Sequence, residues 1–297
     1  MKRFGTSLLA VLLWASTPAA SEEPPRLPAG TLVFHEKVQG QMEVFVSSDG
    51  GATATNVSRH PSEDSAPALS PDGQRIAFQS GRAGKSHIFT VPVSGGAPSQ
   101  VTTGGSLDQS PCWSPDGRTI YFESHRGEGW RLCAVAATGG PVRVVSGQDV
   151  EALSPACSAD GKRLACQLRR RGTERWLIAV LDLQGKMLWE SSAGLSEFNE
   201  SPAFSPDGRW VYFASSAPDG YQIFRVDSSG QAQAQAVTRF PGWKMHPATV
   251  AEGAWLLFDE KTPAGWRLGL ADPATGAHST LSSSGDRFHP GWRDAGK

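Results

Sequence analysis

Two histidines in this chain stand immediately before a proline, in His246-Pro247 and His289-Pro290. Four earlier stretches carry a carboxylate a few residues ahead of a proline: Asp64 before Pro67, Asp108 before Pro111, Glu151 before Pro155 and Glu200 before Pro202. His35 and His125 complete the set of side chains able to do acid–base or ligand chemistry. Imidazoles with a carboxylate suit a divalent ion such as Zn or Mn. A row of carboxylates suits a cationic or hydroxyl-rich segment of a partner. The plain alternative is that these are polar loop residues that cap strands and meet water. The spacing carries no metal-ligand signature, and the chain holds no G-x-S-x-G elbow, H-E-x-x-H helix or phosphate loop. No catalytic residue is therefore assigned and no cofactor is expected.

These candidates recur with a period. Ala66-Pro67-Ala68-Leu69-Ser70-Pro71-Asp72-Gly73 aligns with Ser110-Pro111-Cys112-Trp113-Ser114-Pro115-Asp116-Gly117, with Ser154 to Gly161 and with Ser201 to Gly208. Shorter copies stand at His246-Pro247-Ala248-Thr249 and His289-Pro290-Gly291-Trp292. The leading prolines, 67, 111, 155, 202, 247 and 290, lie 44, 44, 47, 45 and 43 residues apart. After each turn comes an apolar strand such as Ile76-Ala77-Phe78 or Val211-Tyr212-Phe213, then a third and a fourth. Four short antiparallel strands in about 40–45 residues make one propeller blade. In Ser-Pro-Asp-Gly, Pro presets φ, Asp bonds its neighbours and Gly accepts a left-handed backbone, so this is a turn and its Asp residues are not catalytic acids.

Closure sets the blade number. Thr31 to Phe34 reads as a second strand with no first strand ahead of it, and Phe288 to Trp292 reads as a first strand with nothing after it. Joining them yields a composite blade without exposed edges. Five complete units and the composite predict an all-β, six-bladed propeller over 31–297.

The repeated P-x-[WF]-S-P-D-G-x-x-I-x-F unit resembles the TolB-type propeller repeats, a WD-like family, and similar units occur in tricorn-type and prolyl-oligopeptidase-type propellers. The resemblance is to the repeat alone. TolB itself carries an α/β domain ahead of its propeller, and the short linker 22–30 leaves no room for one here. Propeller geometry of this kind implies that the first strand of each blade lines a central channel. Asp64, Asp108, Glu151, Glu200, His246 and His289 would then ring its mouth, with His35 and His125 in nearby loops. Trp130, Trp176, Tyr221 and Trp266 would pack between blades.

The remaining features bound the function. Lys and Arg number 28 against 29 Asp and Glu, which gives no footprint for nucleic acid. Lys2-Arg3, the apolar run Ser7 to Ala15 and small residues Ala19 to Ser21 read as a signal peptide over 1–21, with an apolar run too short to span a membrane. A periplasmic or secreted protein is expected, monomeric and not inserted in a membrane. Cys112, Cys133, Cys157 and Cys166 allow three disulfide pairings or four buried thiols. Cys157 and Cys166 replace aromatic residues of the other blades and face one side of one hairpin, so a disulfide between them is one expectation. The reading that results is a non-catalytic envelope module holding a protein or peptide partner at the channel mouth. Its alternative is a propeller hydrolase or lyase acting on peptide or carbohydrate, with a His/carboxylate metal site there.

Overall fold

The computed structural model describes residues 27–191, 196–218, 220–250, 253–281 and 285–295. The signal-peptide reading of 1–21 lies outside them. Three strands open the fold: β1 (Gly30–Val38), β2 (Gln41–Ser47) and β3 (Thr55–Asn56). Blade 2 follows with β4 (Asp64–Leu69), β5 (Arg75–Ser80), β6 (His87–Pro92) and β7 (Ser99–Gln100). Blade 3 holds β8 (Leu107–Trp113), β9 (Thr119–Arg126), β10 (Gly129–Ala136) and β11 (Arg143–Val144), and blade 4 holds β12 (Val150–Cys157), β13 (Arg163–Arg170), β14 (Leu177–Asp182) and β15 (Met187–Glu190). Blade 5 comprises β16 (Asn199–Phe204), β17 (Trp210–Ala217), β18 (Gly220–Asp227) and β19 (Gln235–Ala236). Blade 6 comprises β20 (Lys244–Val250), β21 (Trp255–Thr262), β22 (Gly265–Ala271) and β23 (His278–Thr280). Finally β24 (Arg287–Asp294) returns to pair with β1, giving blade 1 the order β24-β1-β2-β3.

The expected six-bladed propeller is thus observed, with the ring closed by both ends of the chain. Its outermost strands are only two to four residues long, which leaves little free edge for another chain to pair with.

Both faces of each sheet meet a neighbouring blade, so the second strands are apolar on both sides. Ile76 and Phe78 of β5 pack with Val33 and Val44 of blade 1, while Ala77 between them packs with Ile120 and Phe122 of blade 3. Five blades bury a phenylalanine at one shared position: Phe34, Phe78, Phe122, Phe213 and Phe258. Blade 4 puts Cys166 there, also fully buried.

The Ser-Pro-Asp-Gly turns behave as their composition predicts. In the first, Ser70 Oγ donates to Asp72 Oδ1 at 2.5 Å, the same oxygen accepts the Gln74 N–H, and the Gly73 N–H closes the turn onto the Ser70 carbonyl. Gly73, Gly117, Gly161 and Gly208 all have φ near +68°, where a Cβ is strained. The serine hydroxyls, followed by the main-chain N–H groups, hold Asp72, Asp116, Asp160 and Asp207 below the usual carboxylate range.

The four cysteines are free thiols, which corrects the expected Cys157–Cys166 disulfide. Cys157 pairs with Leu164, so Cys166 is its diagonal neighbour. Diagonal positions lie about 7–8 Å apart, whereas a disulfide needs Cβ atoms about 3.5–4.5 Å apart.

Candidate functional site at the channel mouth

Every inner strand contains the same irregularity. The residue before its leading proline adopts a left-handed backbone: Ala66, Ser110, Ser154, Ser201, His246 and His289 have φ between 48° and 53°. The inner-strand pairing slips at each of these points, between Ser65 and Ala68 in blade 2 for example, as a β-bulge does. A left-handed non-glycine residue costs about 1–2 kcal/mol, so six of them require a compensating bond.

That bond comes from the preceding blade. In four blades the position after the buried phenylalanine of the second strand holds a side-chain acceptor, and this acceptor takes the N–H of the left-handed residue next door. His35 Nδ1 accepts from Ala66 at 3.2 Å, Gln79 Oε1 from Ser110 at 3.0 Å, Glu123 Oε2 from Ser154 at 2.7 Å and Asp259 Oδ1 from His289 at 3.2 Å. In blade 5 the equivalent residue is Ala214, which offers no side-chain acceptor to His246.

The six left-handed residues and their prolines line a central cavity of about 130 Å³. Of the six left-handed residues four are Ala or Ser; the other two are His246 and His289, on adjacent blades. Their rings stack with centroids 3.4 Å apart, and His289 lies 5.1 Å from His35. His246 Nδ1 donates to Asp259 Oδ1 at 2.8 Å. Two buried polar atoms of this cluster have no hydrogen-bond partner among the described residues: Asp259 Oδ2 and His289 Nδ1.

The protonation states divide accordingly. Burial pulls His246 down, but the Asp259 carboxylate, and then Glu200, outweigh it and raise the imidazole above its ordinary value. Burial and the charge of His246 hold His35 down to about 3 and His289 well below its ordinary value. Burial raises Glu200, against the opposing effects of His246 and a hydrogen bond from Tyr221. One imidazole shifted upward, two shifted downward and a Glu200 carboxyl shifted upward therefore share this sector of the mouth. Among the described residues, no group of three or more His, Cys, Asp or Glu side chains is disposed to hold a metal ion.

The other sequence candidates lie elsewhere. Asp64 and Asp108 are fully buried three residues before their prolines and do not line the cavity. Asp64 pairs with Arg82 at 2.8 Å, and Asp108 accepts from Ser124 Oγ at 2.6 Å and meets His87 at 3.2 Å. The same position holds Lys244 in blade 6, whose Nζ donates to the carbonyls of Phe240 and Gly242. This column ties loops down. Glu151 is engaged by Arg169 and receives the Trp130 N–H. His125 is exposed on the β9–β10 hairpin, edge-on to Trp130. The carboxylates of the expected acidic arc are thus engaged by ion pairs in blades 2 to 4, and the titratable groups beside the cavity belong to blades 5, 6 and 1.

Asp259 was missing from the sequence candidates. Its signal is the column after the second-strand aromatic: Phe34-His35, Phe78-Gln79, Phe122-Glu123, Phe213-Ala214, Phe258-Asp259. The mouth face also exposes Phe198 (49%) and Trp243 (46%), just ahead of β16 and β20. Trp243 packs on Tyr221 of the preceding blade at 5.2 Å, and Trp266 packs on Phe288 of the next at 5.2 Å. Trp130 and Trp176 instead meet His125 and Arg169 of their own hairpins.

Fold and site together define a six-bladed β-propeller with a histidine–carboxylate cluster on one sector of its channel mouth. The chain belongs to the TolB β-propeller family: the family model for the TolB beta propeller domain matches residues 137–297, and that for the tricorn protease N-terminal beta propeller domain matches residues 24–177. TolB from Acinetobacter baumannii is similar in structure, with a TM-score of 0.73, 18% identity and coverage of 91% of this chain and 68% of that one. An oligogalacturonate lyase in complex with manganese shares the fold at a TM-score of 0.54 and 14% identity, covering 86% of this chain and 74% of that one. An uncharacterized protein of Agrobacterium fabrum is 29% identical over 109 residues, a match spanning 33% of this chain and 37% of that relative.

Proposed function

We propose that this chain is an exported, non-catalytic interaction module that holds a protein or peptide partner on the mouth face, in the periplasm or outside the cell. The observation that carries this is the join between an exposed apolar patch and an unsatisfied polar cluster. Trp243 packs on Tyr221 with ring centroids 5.2 Å apart, Tyr221 interacts with Glu200, and Glu200 interacts with His246 and Asp259. Aromatic anchors around desolvated polar groups are the composition of interface hot spots. The free acceptor Asp259 Oδ2 and the carboxylate of Glu200 favour a cationic or hydroxyl-bearing segment. The TolB likeness supports the module reading by analogy of fold.

Site-specific photocrosslinking tests it. A crosslinker at Phe198, exposed on the same face, should capture a discrete partner in intact cells, one at Asp72 on the opposite face should not, and adding Glu200→Gln with Trp243→Ala to the Phe198 crosslinker should abolish the product. Equal capture from both faces would remove the mouth from consideration.

A second reading draws on the divided protonation states. An imidazolium beside a neutral imidazole and a carboxyl of raised pKa resembles an acid–base pair, as a mouth-sited hydrolase or lyase would need. Turnover of peptide or oligosaccharide lost in His289→Ala and in Asp259→Asn would favour it over the module.

A further inference from the structure

Two cysteines meet across the boundary between blades 3 and 4. Cys112 follows the leading proline of β8, and Cys157 ends β12 in the next blade. The main-chain N–H of Cys157 donates to Cys112 Sγ at 3.1 Å. N and Cα of one residue are about 1.5 Å apart, so the Cys112 sulfur lies within about 4.6 Å of the Cys157 Cα. The Cys157 side chain leaves that same Cα, so a turn about its χ1 is what brings its Sγ toward Cys112 Sγ and the S–S distance of about 2.05 Å.

The repeat explains the meeting. The residue at the Cys157 position reaches back to the preceding blade, as Trp113 does when its Nε1 donates to the Ala68 carbonyl at 3.0 Å. Blade 4 replaces that large ring by a thiol, and blade 3 places a second thiol at the facing rim. Cys112 and Cys157 are also the two half-buried cysteines, whereas Cys133 and Cys166 are buried. Burial pushes the Cys157 thiol up to about 12 and the Cys112 thiol up as well, the latter also through Cys157.

We propose that Cys112 and Cys157 form a disulfide that staples blade 3 to blade 4 when the chain meets a disulfide oxidant, and that the dithiol seen here is its reduced form. The two thiols lose two protons and two electrons to form one S–S bond. The oxidant, a disulfide such as oxidised glutathione, takes them up and is cleaved to two thiols.

The experiment uses the purified protein, native and refolded from denaturant, with oxidised and reduced glutathione, followed by denaturation, alkylation and peptide mass spectrometry. The expected result is a linked Cys112–Cys157 peptide in the oxidised samples, with Cys133 and Cys166 alkylated. Cys112→Ser and Cys157→Ser should each lose the link and expose the remaining partner to alkylation. The urea midpoint of the wild type should rise on oxidation, and that of Cys112→Ser should not move. Alkylation of all four cysteines in both oxidised arms, glutathione adducts without a link, or a link from Cys157 to Cys166 would overturn the proposal.

Discussion

The Asp259 carboxylate joins two blades through one oxygen: Oδ1 accepts from His246 Nδ1 at 2.8 Å within its own sheet and from the His289 N–H at 3.2 Å in the next. The ion pair that charges His246 therefore also satisfies the bulge that places His289. Site and scaffold are one set of bonds here, and their contributions separate only by substitution.

The blade-to-blade acceptor is testable where no histidine intervenes. Glu123→Ala leaves the Ser154 N–H without its 2.7 Å partner and should cost about 1–3 kcal/mol, the penalty for an unsatisfied buried donor. Glu123→Gln keeps an oxygen in place, as Gln79 does one blade earlier, and should retain most of the stability. Urea unfolding of both variants checks this; equal losses would mean that charge, not acceptance, is what matters.

The mouth makes stability depend on acidity. His35, held down to about 3, and His289, also lowered, are neutral when folded, while the unfolded chain binds their protons near pH 6.5. Their contribution is complete above pH 6.5 and falls toward pH 3, at up to about 1.4 kcal/mol per pH unit for each. His246, shifted upward, has the opposite sign: its contribution is present below pH 6.5 and is lost as pH rises through its folded value. Two groups outweigh one, so the melting temperature should fall on acidification from pH 6.5 to 4. His35→Gln, which keeps an acceptor for Ala66, should flatten that fall.

Turn geometry predicts a graded pair. Gly117 has φ +67°, and Gly117→Ala should cost about 1–2 kcal/mol from the left-handed backbone. Asp116→Ala removes the acceptor of Ser114 Oγ and the Arg118 N–H and should cost less than the glycine substitution, because the carboxylate is exposed to water. Because its carboxyl is shifted downward, the Asp116 contribution is present above pH ~4 and disappears as pH falls through the folded value. Calorimetry at pH 7 and pH 3 should show the Asp116→Ala deficit only at the higher pH.

Core truncation should follow side-chain size at the shared position. Phe122→Ala empties a fully buried site between blades 2 and 3 and should cost about 3–5 kcal/mol. Cys166→Ala removes a single sulfur from the same position in blade 4 and should cost clearly less. Chemical denaturation of the two variants side by side checks the order.

At the mouth, Trp243→Ala should weaken the partner's hold by about 2 kcal/mol, roughly thirtyfold, as loss of an aromatic anchor does. Glu200→Gln should remove the salt dependence of binding more than its strength. Titrations of the crosslinked partner at low and high salt distinguish the two effects.

The period of the leading prolines, the turn tetrapeptide and the unpaired half-units at both ends determined the six blades and their closure, because blade length and turn chemistry are local properties that each repeat states again. The same repetition placed His246 and His289 immediately before two of the six leading prolines, among eight candidate residues. What the chain could not declare is direction. A left-handed residue before each proline re-aims the strand, so Asp64 and Asp108, three residues before theirs, are buried in ion pairs, while the histidines line the channel. Asp259, Trp243 and the pairing of Cys112 with Cys157 likewise depend on which blade stands beside which. Such contacts join residues of neighbouring blades, 22 to 45 positions apart, and ring closure alone brings His35 to His289.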